Sequence, residues 1–390
     1  MKAYDIVIVG GAVHGASVAY HLAALGFDGK ILVIDRDPTF RTAAMALSAS
    51  GIRHQFSCRV NIEASLYGID FLRRAGDLLA VDGERPDVAL REGGYLFLAS
   101  PAGLSTLTRN HALQTSLGAD IAFLDAPALA ARFPWLATDG LAAGCLGLTG
   151  EGWFDGSSLM QALRRKARAL GVEFRAAEVV SVERTQGRVT GVRLADGSTI
   201  GAGAVVLTAG TGIAPLARSL GIPIPVEARK RCVFTFACRE RIAGLPLLVD
   251  PSGVYVRPEG NVYISGVSPP EERDPPAADF EVDHSLFEET IWPVLAARIP
   301  AFAAIRPGRA WAGHYDFNTL DQNAIVGPLA DVANLYLATG FSGHGLQQAP
   351  AVGRGIAELI LHGRYATLEL TPLGYQRVAE GRPLIEENVV

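Results

Sequence analysis

Lysine is close to absent. The 390 residues hold only Lys2, Lys30, Lys166 and Lys230, and the remaining positive charge is carried by scattered arginines. With a formal net charge of −5 at pH 7, no basic face is offered to nucleic acid or to an anionic membrane. Cysteine is equally scarce. Cys58, Cys145, Cys232 and Cys238 are far apart or separated by five residues, which fits neither a C-x-x-C redox pair nor a zinc site. They read as reduced, mostly buried thiols in a cytoplasmic protein. No H-x-x-H spacing or carboxylate cluster marks a metal site, so the expected metal content is none. No apolar run approaches the roughly 18 residues of a transmembrane segment. No charged and apolar leader precedes the first strand, so no address tag is visible. Low-complexity tracts are missing too, as are internal repeats beyond two glycine-rich helix starts.

What is present is apolar residue and glycine: 49% hydrophobic content and 43 glycines, enough to bury a large core and to divide into two domains. The chain opens on DIVIVGGAVHG, Asp5 to Gly15. Ile6 to Val9 lacks polar alternation and reads as a parallel strand buried on both faces. Gly10 and Gly11 break it. From Ala12 to Leu25 the apolar residues follow helical spacing up to Gly26, and a second strand, KILVID, ends at Asp35. In such a strand, helix, strand unit Gly10 makes the tight turn, the middle position lets backbone approach a pyrophosphate, and Gly15 allows the helix to pack closely. Ala12 occupies the middle position, one methyl larger than the usual glycine. The helix N-terminus still offers free N–H groups and its positive dipole end to phosphate. Asp35 stands where a carboxylate accepts hydrogen bonds from both ribose hydroxyls and repels a 2′-phosphate, which favours FAD or NAD over NADP.

An NAD enzyme would continue with alternating strands and helices. This chain continues with TFRTAAMALSASGIRHQF, Thr39 to Phe56, small and hydroxylated residues suited to lie along a ligand. Near the other end, Leu335 to Leu361 repeats the opening physics: a strand, then Gly340, Gly343 and Gly345, then an apolar-periodic helix, a second helix N-terminus ready for a ligand.

These stretches, together with GWFD at Gly152 to Asp155, VVLTAG at Val205 to Gly210 and WAGHYD at Trp311 to Asp316, resemble the FAD-dependent oxidoreductases of the D-amino-acid oxidase superfamily, in the branch with glycine oxidase, sarcosine oxidase and related bacterial amino-acid dehydrogenases. The resemblance covers essentially the whole chain. It implies an α/β fold, α+β overall, with a Rossmann-like FAD-binding domain and a mostly antiparallel-sheet substrate domain. The FAD-binding domain is expected to be discontinuous, over residues 1–85, 150–225 and 318–390, with the substrate domain over 86–149 and 226–317. Strands are expected at Ala89 to Ser100, Lys230 to Cys238 and Gly253 to Val267, the last a hairpin turning at Glu259, Gly260 and Asn261. PPEERDPP, Pro269 to Pro276, reads as a surface loop.

The resemblance further implies an extended FAD. Val13 and His14 would meet its pyrophosphate, and Asp35 and Arg36 its adenosine. Leu47, Ser48, Gly51 and Ile52 would line the flavin, while Val179, Ala209 and Gly210 border the adenine side. Gly340, Phe341, Ser342, Gly343, His344, Gly345, Leu346 and Gln347 would close over the pyrimidine end, where the helix N-terminus would stabilise negative charge.

Flavin carries the redox step, so the protein need only hold an amine's α C–H against the ring, keep the amine unprotonated and anchor the rest. A carboxylate anchor calls for arginine, and Arg53 of GIRH matches by resemblance the arginine that serves in sarcosine oxidase. Two positions depart from the relatives: Gln347 stands for the second carboxylate-binding lysine of sarcosine oxidase, and Tyr315 for the arginine of glycine oxidase. Either the substrate is then not a simple small amino acid, or Arg53 acts with Tyr255, Arg257 or Tyr315. His54, His314 and His344 come from three segments that the resemblance brings near the flavin, as candidates to tune amine protonation. The triplet Arg229, Lys230, Arg231 reads as a solvated strand end. No cysteine falls near Gly313, the position of the covalent flavin attachment of sarcosine oxidase, so FAD is expected to be non-covalent.

The expected activity is oxidation of the C–N bond of an amino acid or N-substituted amino acid, with a 2-hydroxy-acid oxidoreductase or the flavin subunit of a multi-subunit dehydrogenase as alternatives. The partners are then a small amine or amino-acid substrate and an electron acceptor: oxygen, a quinone or a carrier protein. Relatives use a lysine beside the flavin for oxygen chemistry, and here the corresponding hairpin reads NVYISG with Tyr263 at that place. A dehydrogenase is therefore favoured slightly over an oxidase, with Lys230 or a histidinium as the alternative source of the missing charge. Homo- and hetero-oligomers both remain open.

Overall fold

The computed structural model describes residues 3–388. The opening unit is a strand at Ala3–Val9, a helix at Val13–Ala24 and a second strand at Ile31–Asp35, parallel to the first with Ile8 opposite Val33. Ile6 and Ile8 bury among the helices, with Ala16, Val18 and Leu22. Val7 and Val9 bury on the other face with Val205, Leu207 and Leu337. A strand covered on both faces has no position left for a polar residue, which is why the run IVIV shows no alternation.

This strand lies near the middle of an eight-stranded sheet. Parallel neighbours are Ile31–Asp35 and Glu173–Ala176 on one side, and Thr199–Leu207 and Val332–Thr339 on the other. Antiparallel strands at Val179–Thr185, Arg188–Leu194 and Ile325–Leu329 complete it. Because Ala3–Val9 and Val332–Thr339 run the same way, the glycine turns that follow them emerge at the same edge, the carboxyl end where open α/β sheets take ligands. The closing helix, Gly345–His362, packs on the opening helix. The Ser17 hydroxyl donates to Ala349 O at 2.7 Å there, and a side chain on Gly353 would collide with Ser17.

The second sheet also has eight strands. Ile305–Asn318 and Val226–Cys238 form a long antiparallel pair, followed by Val262–Gly266, Tyr255–Glu259, Leu247–Val249, Tyr95–Ala99, Ala143–Gly147 and Ile121–Asp125. All pairings are antiparallel except Leu247–Val249 with Tyr95–Ala99. The hairpin turns at Gly260, whose φ is +58°. A two-stranded ribbon, Gly51–Ile52 with Gly152–Trp153, stands apart from both sheets.

One expectation is corrected. The triplet Arg229, Lys230, Arg231 is not a solvated strand end. It lies inside the strand Val226–Cys238, and the segment 270–279 folds over it, with Pro276 bridged to Arg229. Arg231 is buried and grips Asp274 with both terminal nitrogens, at 2.7 and 2.8 Å. Arg229 pairs with Glu227 at 2.7 Å. Lys230, on the alternate face, reaches Asp279 at 2.7 Å.

Candidate active site

The two glycine turns open into one cleft. Gly10, with φ +100°, has no room for a Cβ against Thr208 O, and a Cβ on Gly15 would collide with Gly10 O. Ala12 has φ −69°, so the departure from glycine there is unstrained. Both helices begin without a side-chain cap and without an acidic residue in the first turn, which leaves N–H groups of both first turns for a ligand. The Asp35 carboxylate accepts from Gly11 N at 2.6 Å and Asp37 N at 2.8 Å, and each oxygen keeps a free lone pair. His14 ties the two turns together. Its ring stacks on Phe341 with centroids 3.9 Å apart, and it bonds to the Gly345 backbone. Burial pushes the ring down to about 3, so it is neutral, and Nε2 is buried without a partner.

Gly10, Ala12, Val13, His14, Asp35, Arg36, Ser48, Val179, Ala209, Gly210, Phe341, Gly343, Gly345 and Leu346 line this cleft, as does His314. Gly15, Leu47, Ile52 and Gly340 lie behind the wall. Leu47 O takes the Trp311 indole at 2.9 Å, Ile52 is fully buried, and Gly340 N donates to Asp316 at 2.7 Å. Burial raises Asp316 to about 6 against the pull of the Gly340 and Phe341 N–H groups. The residues fit an extended dinucleotide: a glycine cradle, two uncapped helix ends, a carboxylate at a strand end and an orphaned buried nitrogen between them.

A second pocket shares Ser48, Tyr315, Gly343 and Leu346 with the cleft and so borders it. It is further lined by Gly51, Arg53, Tyr95, Leu247, Tyr255, Ser342, His344 and Gln347. Arg53 is 5% exposed. Its guanidinium lies 4.0 Å over Phe56 and donates through Nη1 to Gln55 O at 2.7 Å and through Nη2 to Asn388 O at 2.5 Å. Gln347 Oε1 accepts from Arg53 N at 2.7 Å. Burial raises the hydroxyls of Tyr95, to about 12, and of Tyr255 and Tyr315, so all three are neutral. Gly343 exists for Tyr315: φ is +98° and a Cβ would enter the tyrosine ring.

The three histidines take different places. His344 lines the pocket, but its nitrogens face Gln348 Oε1 at 3.3 Å and Gln322 O at 3.1 Å. His314 contacts Asp279 O at 2.6 Å and stacks on Phe280. His54 lines neither cavity. Its buried ring, pushed down to about 4 by burial and by Arg73, lies 3.9 Å from Glu151. Arg257 does not line the pocket either; it donates to Ala49 O at 2.9 Å and pairs with Glu259. Sequence reasoning missed Tyr95, Glu151 and the 384–388 segment. Tyr95 alone had a signal, an aromatic within the apolar run YLFLA. None of the described lysines or cysteines lines either cavity, and Lys2 lies outside the described residues.

The family model described as DAO, FAD dependent oxidoreductase, matches residues 5–359. FAD-dependent oxidoreductase domain-containing protein 1 of Bos taurus is 40% identical over 99% of this chain and 87% of its own length. Glycine oxidase of Pseudomonas putida is 28% identical over 89% of this chain and 92% of its own. The crystal structure of L-proline dehydrogenase from P. horikoshii superposes with a TM-score of 0.87, at 24% identity, covering 98% of this chain and 99% of that one.

Proposed function

The chain belongs to the DAO family of FAD-dependent oxidoreductases, and from that premise we propose that it oxidises the C–N bond of an amino acid or N-substituted amino acid to an imine, which water hydrolyses to an oxo acid and an amine. Flavin, when bound, supplies the acceptor for the hydride leaving the α-carbon. The observation that carries the reading is Arg53, a buried guanidinium in an otherwise neutral pocket that borders the nucleotide cleft. The N–H groups left free by Gln55 and Asn388 grip the substrate carboxylate. Gln347 holds the Arg53 backbone and does not act as a second cation. The neutral hydroxyls of Tyr95, Tyr255 and Tyr315 enclose the amine and exclude water.

A neutral amine gives up hydride with its own lone pair forming the new π bond, whereas a 2-hydroxy acid needs a base for its hydroxyl proton. His344 has neighbours at both ring nitrogens, His54 lines neither cavity, and His314 is held through Nε2 by Asp279 O and lines the nucleotide cleft rather than the substrate pocket, which supports the amine. Electrons leave preferentially to a quinone or carrier protein. The support is that none of the described lysines lines either cavity and that Lys230 is held by Asp279, and stopped-flow reoxidation of the reduced enzyme by oxygen should be slow. The absence of a lining cysteine supports non-covalent FAD, which acid precipitation should leave in the supernatant.

The test is anaerobic mixing of holoenzyme with a panel of amino acids, N-methyl amino acids and 2-hydroxy acids. Bleaching by a nitrogen-bearing member supports the reading. Bleaching by hydroxy acids alone overturns it, and no bleaching by any member indicates a flavin-binding subunit without its own substrate.

A further inference from the structure

Glu151 is 1% exposed, and a fully buried carboxylate is retained only where its oxygens are bound. The turn around it is shaped to admit it. A side chain on Gly147 would collide with the Glu151 carboxylate, and a Cβ on Gly150 would come within 2.6 Å of the His54 ring. Both oxygens serve one short segment. Oε1 accepts from His54 N at 2.6 Å, and Oε2 accepts from Gln55 Nε2 at 2.7 Å. Gln55 Nε2 also reaches Tyr95 O at 3.1 Å, and the Gln55 carbonyl receives Arg53 Nη1 at 2.7 Å.

We propose that Glu151 is the positioning residue for the carboxylate grip of Arg53: its ionised oxygens fix residues 53–55 so that the guanidinium is presented to the pocket. This rests on the amino-acid reading above. The charge state matters because both partners are N–H donors. A protonated Glu151 turns one oxygen into a donor facing a donor, and one of the two anchors is lost.

The groups facing the carboxylate from each packed element are few. On the segment it holds are Arg53 and His54, whose two ring nitrogens have no hydrogen-bond partner. Behind His54, Glu92 accepts from Gly150 N at 2.7 Å and is paired with Arg73 at 2.6 Å. Tyr95 and Cys145 face it from the second sheet. Burial raises Glu151 to about 7. His54, held near 4, stays neutral and does not titrate in the same window. Simple repulsion would act in the opposite direction, because an ionised Glu151 disfavours an anionic ligand.

The experiment measures the affinity of FAD-loaded enzyme for acetate and benzoate, which carry no group titrating between pH 6 and 8.5, from perturbation of the flavin absorption. Wild type should bind up to about tenfold more weakly at pH 6 than at pH 8.5, since about a tenth of Glu151 is ionised one unit below its midpoint. Glu151→Gln should bind at one affinity throughout, near the acid-limb value. The wild-type profile stands even if that variant folds poorly. Binding that is flat with pH, or tighter at pH 6, overturns the proposal. When that binding is also lost at pH 8.5 in Arg53→Gln, the role of Arg53 survives. No carboxylate binding by wild type at pH 8.5 overturns both.

Discussion

Asp35→Asn separates a nucleotide contact from a fold contact. In the native loop Oδ2 accepts from Gly11 N and Oδ1 from Asp37 N, and each oxygen keeps a lone pair toward the cleft for one ribose hydroxyl. The variant's amide group is a donor. One of the two backbone N–H groups then faces a donor, and one ribose hydroxyl loses its charged acceptor. A hydrogen bond to a charged group contributes about 1.5–3 kcal/mol, so the dissociation constant for FAD should rise by roughly 10- to 150-fold. Titration of apoprotein followed by flavin fluorescence measures it. FMN, which has no adenosine, is the control and should bind both proteins with nearly equal affinity. An FAD affinity within threefold of wild type, or an equal loss for FMN, would refute the placement of Asp35 on the ribose.

Gly343→Ala puts a methyl into the Tyr315 ring at φ +98°; it should cost more than about 3 kcal/mol and strip FAD during gel filtration. Glu386 accepts from Ser57 N and Oγ at 2.7 Å, Asn61 Nδ2 at 2.9 Å and Cys58 N at 3.1 Å, so Glu386→Ala should lower the urea-unfolding free energy by about 3 kcal/mol. Burial holds His21 down at about 4. The unfolded chain therefore takes the proton first, and stability is lost as pH falls from about 6.5 towards 4. Between pH 7 and pH 5 wild type should lose about 2 kcal/mol more than His21→Gln, and parallel slopes would show that His21 is not the group responsible.

Local order made part of the molecule legible. Ile6 to Val9 announced a doubly covered strand, Gly260 a hairpin, and the spacing of Gly10, Gly15 and Asp35 a nucleotide turn, because each depends on neighbours within a few tens of residues. What stayed hidden depends on contacts across the chain. Nothing near Arg53 indicates that Asn388 O, 335 positions away, takes one of its nitrogens. Nothing near Glu151 indicates Gln55, and Arg231 looks solvated until Asp274 folds over it. Arg257 looked free for a substrate, yet the Ala49 carbonyl, 208 positions away, occupies it. Buried polar residues find their partners in the fold, and composition counts them as surface.

The central claim is that the first turns of Val13–Ala24 and Gly345–His362 hold opposite parts of one flavin nucleotide. Hydrogen exchange of apoprotein with and without one equivalent of FAD tests it most directly. Amides of residues 10–15 and 343–347 should slow together and saturate at one FAD per chain. Protection at one turn with the other unchanged would contradict it.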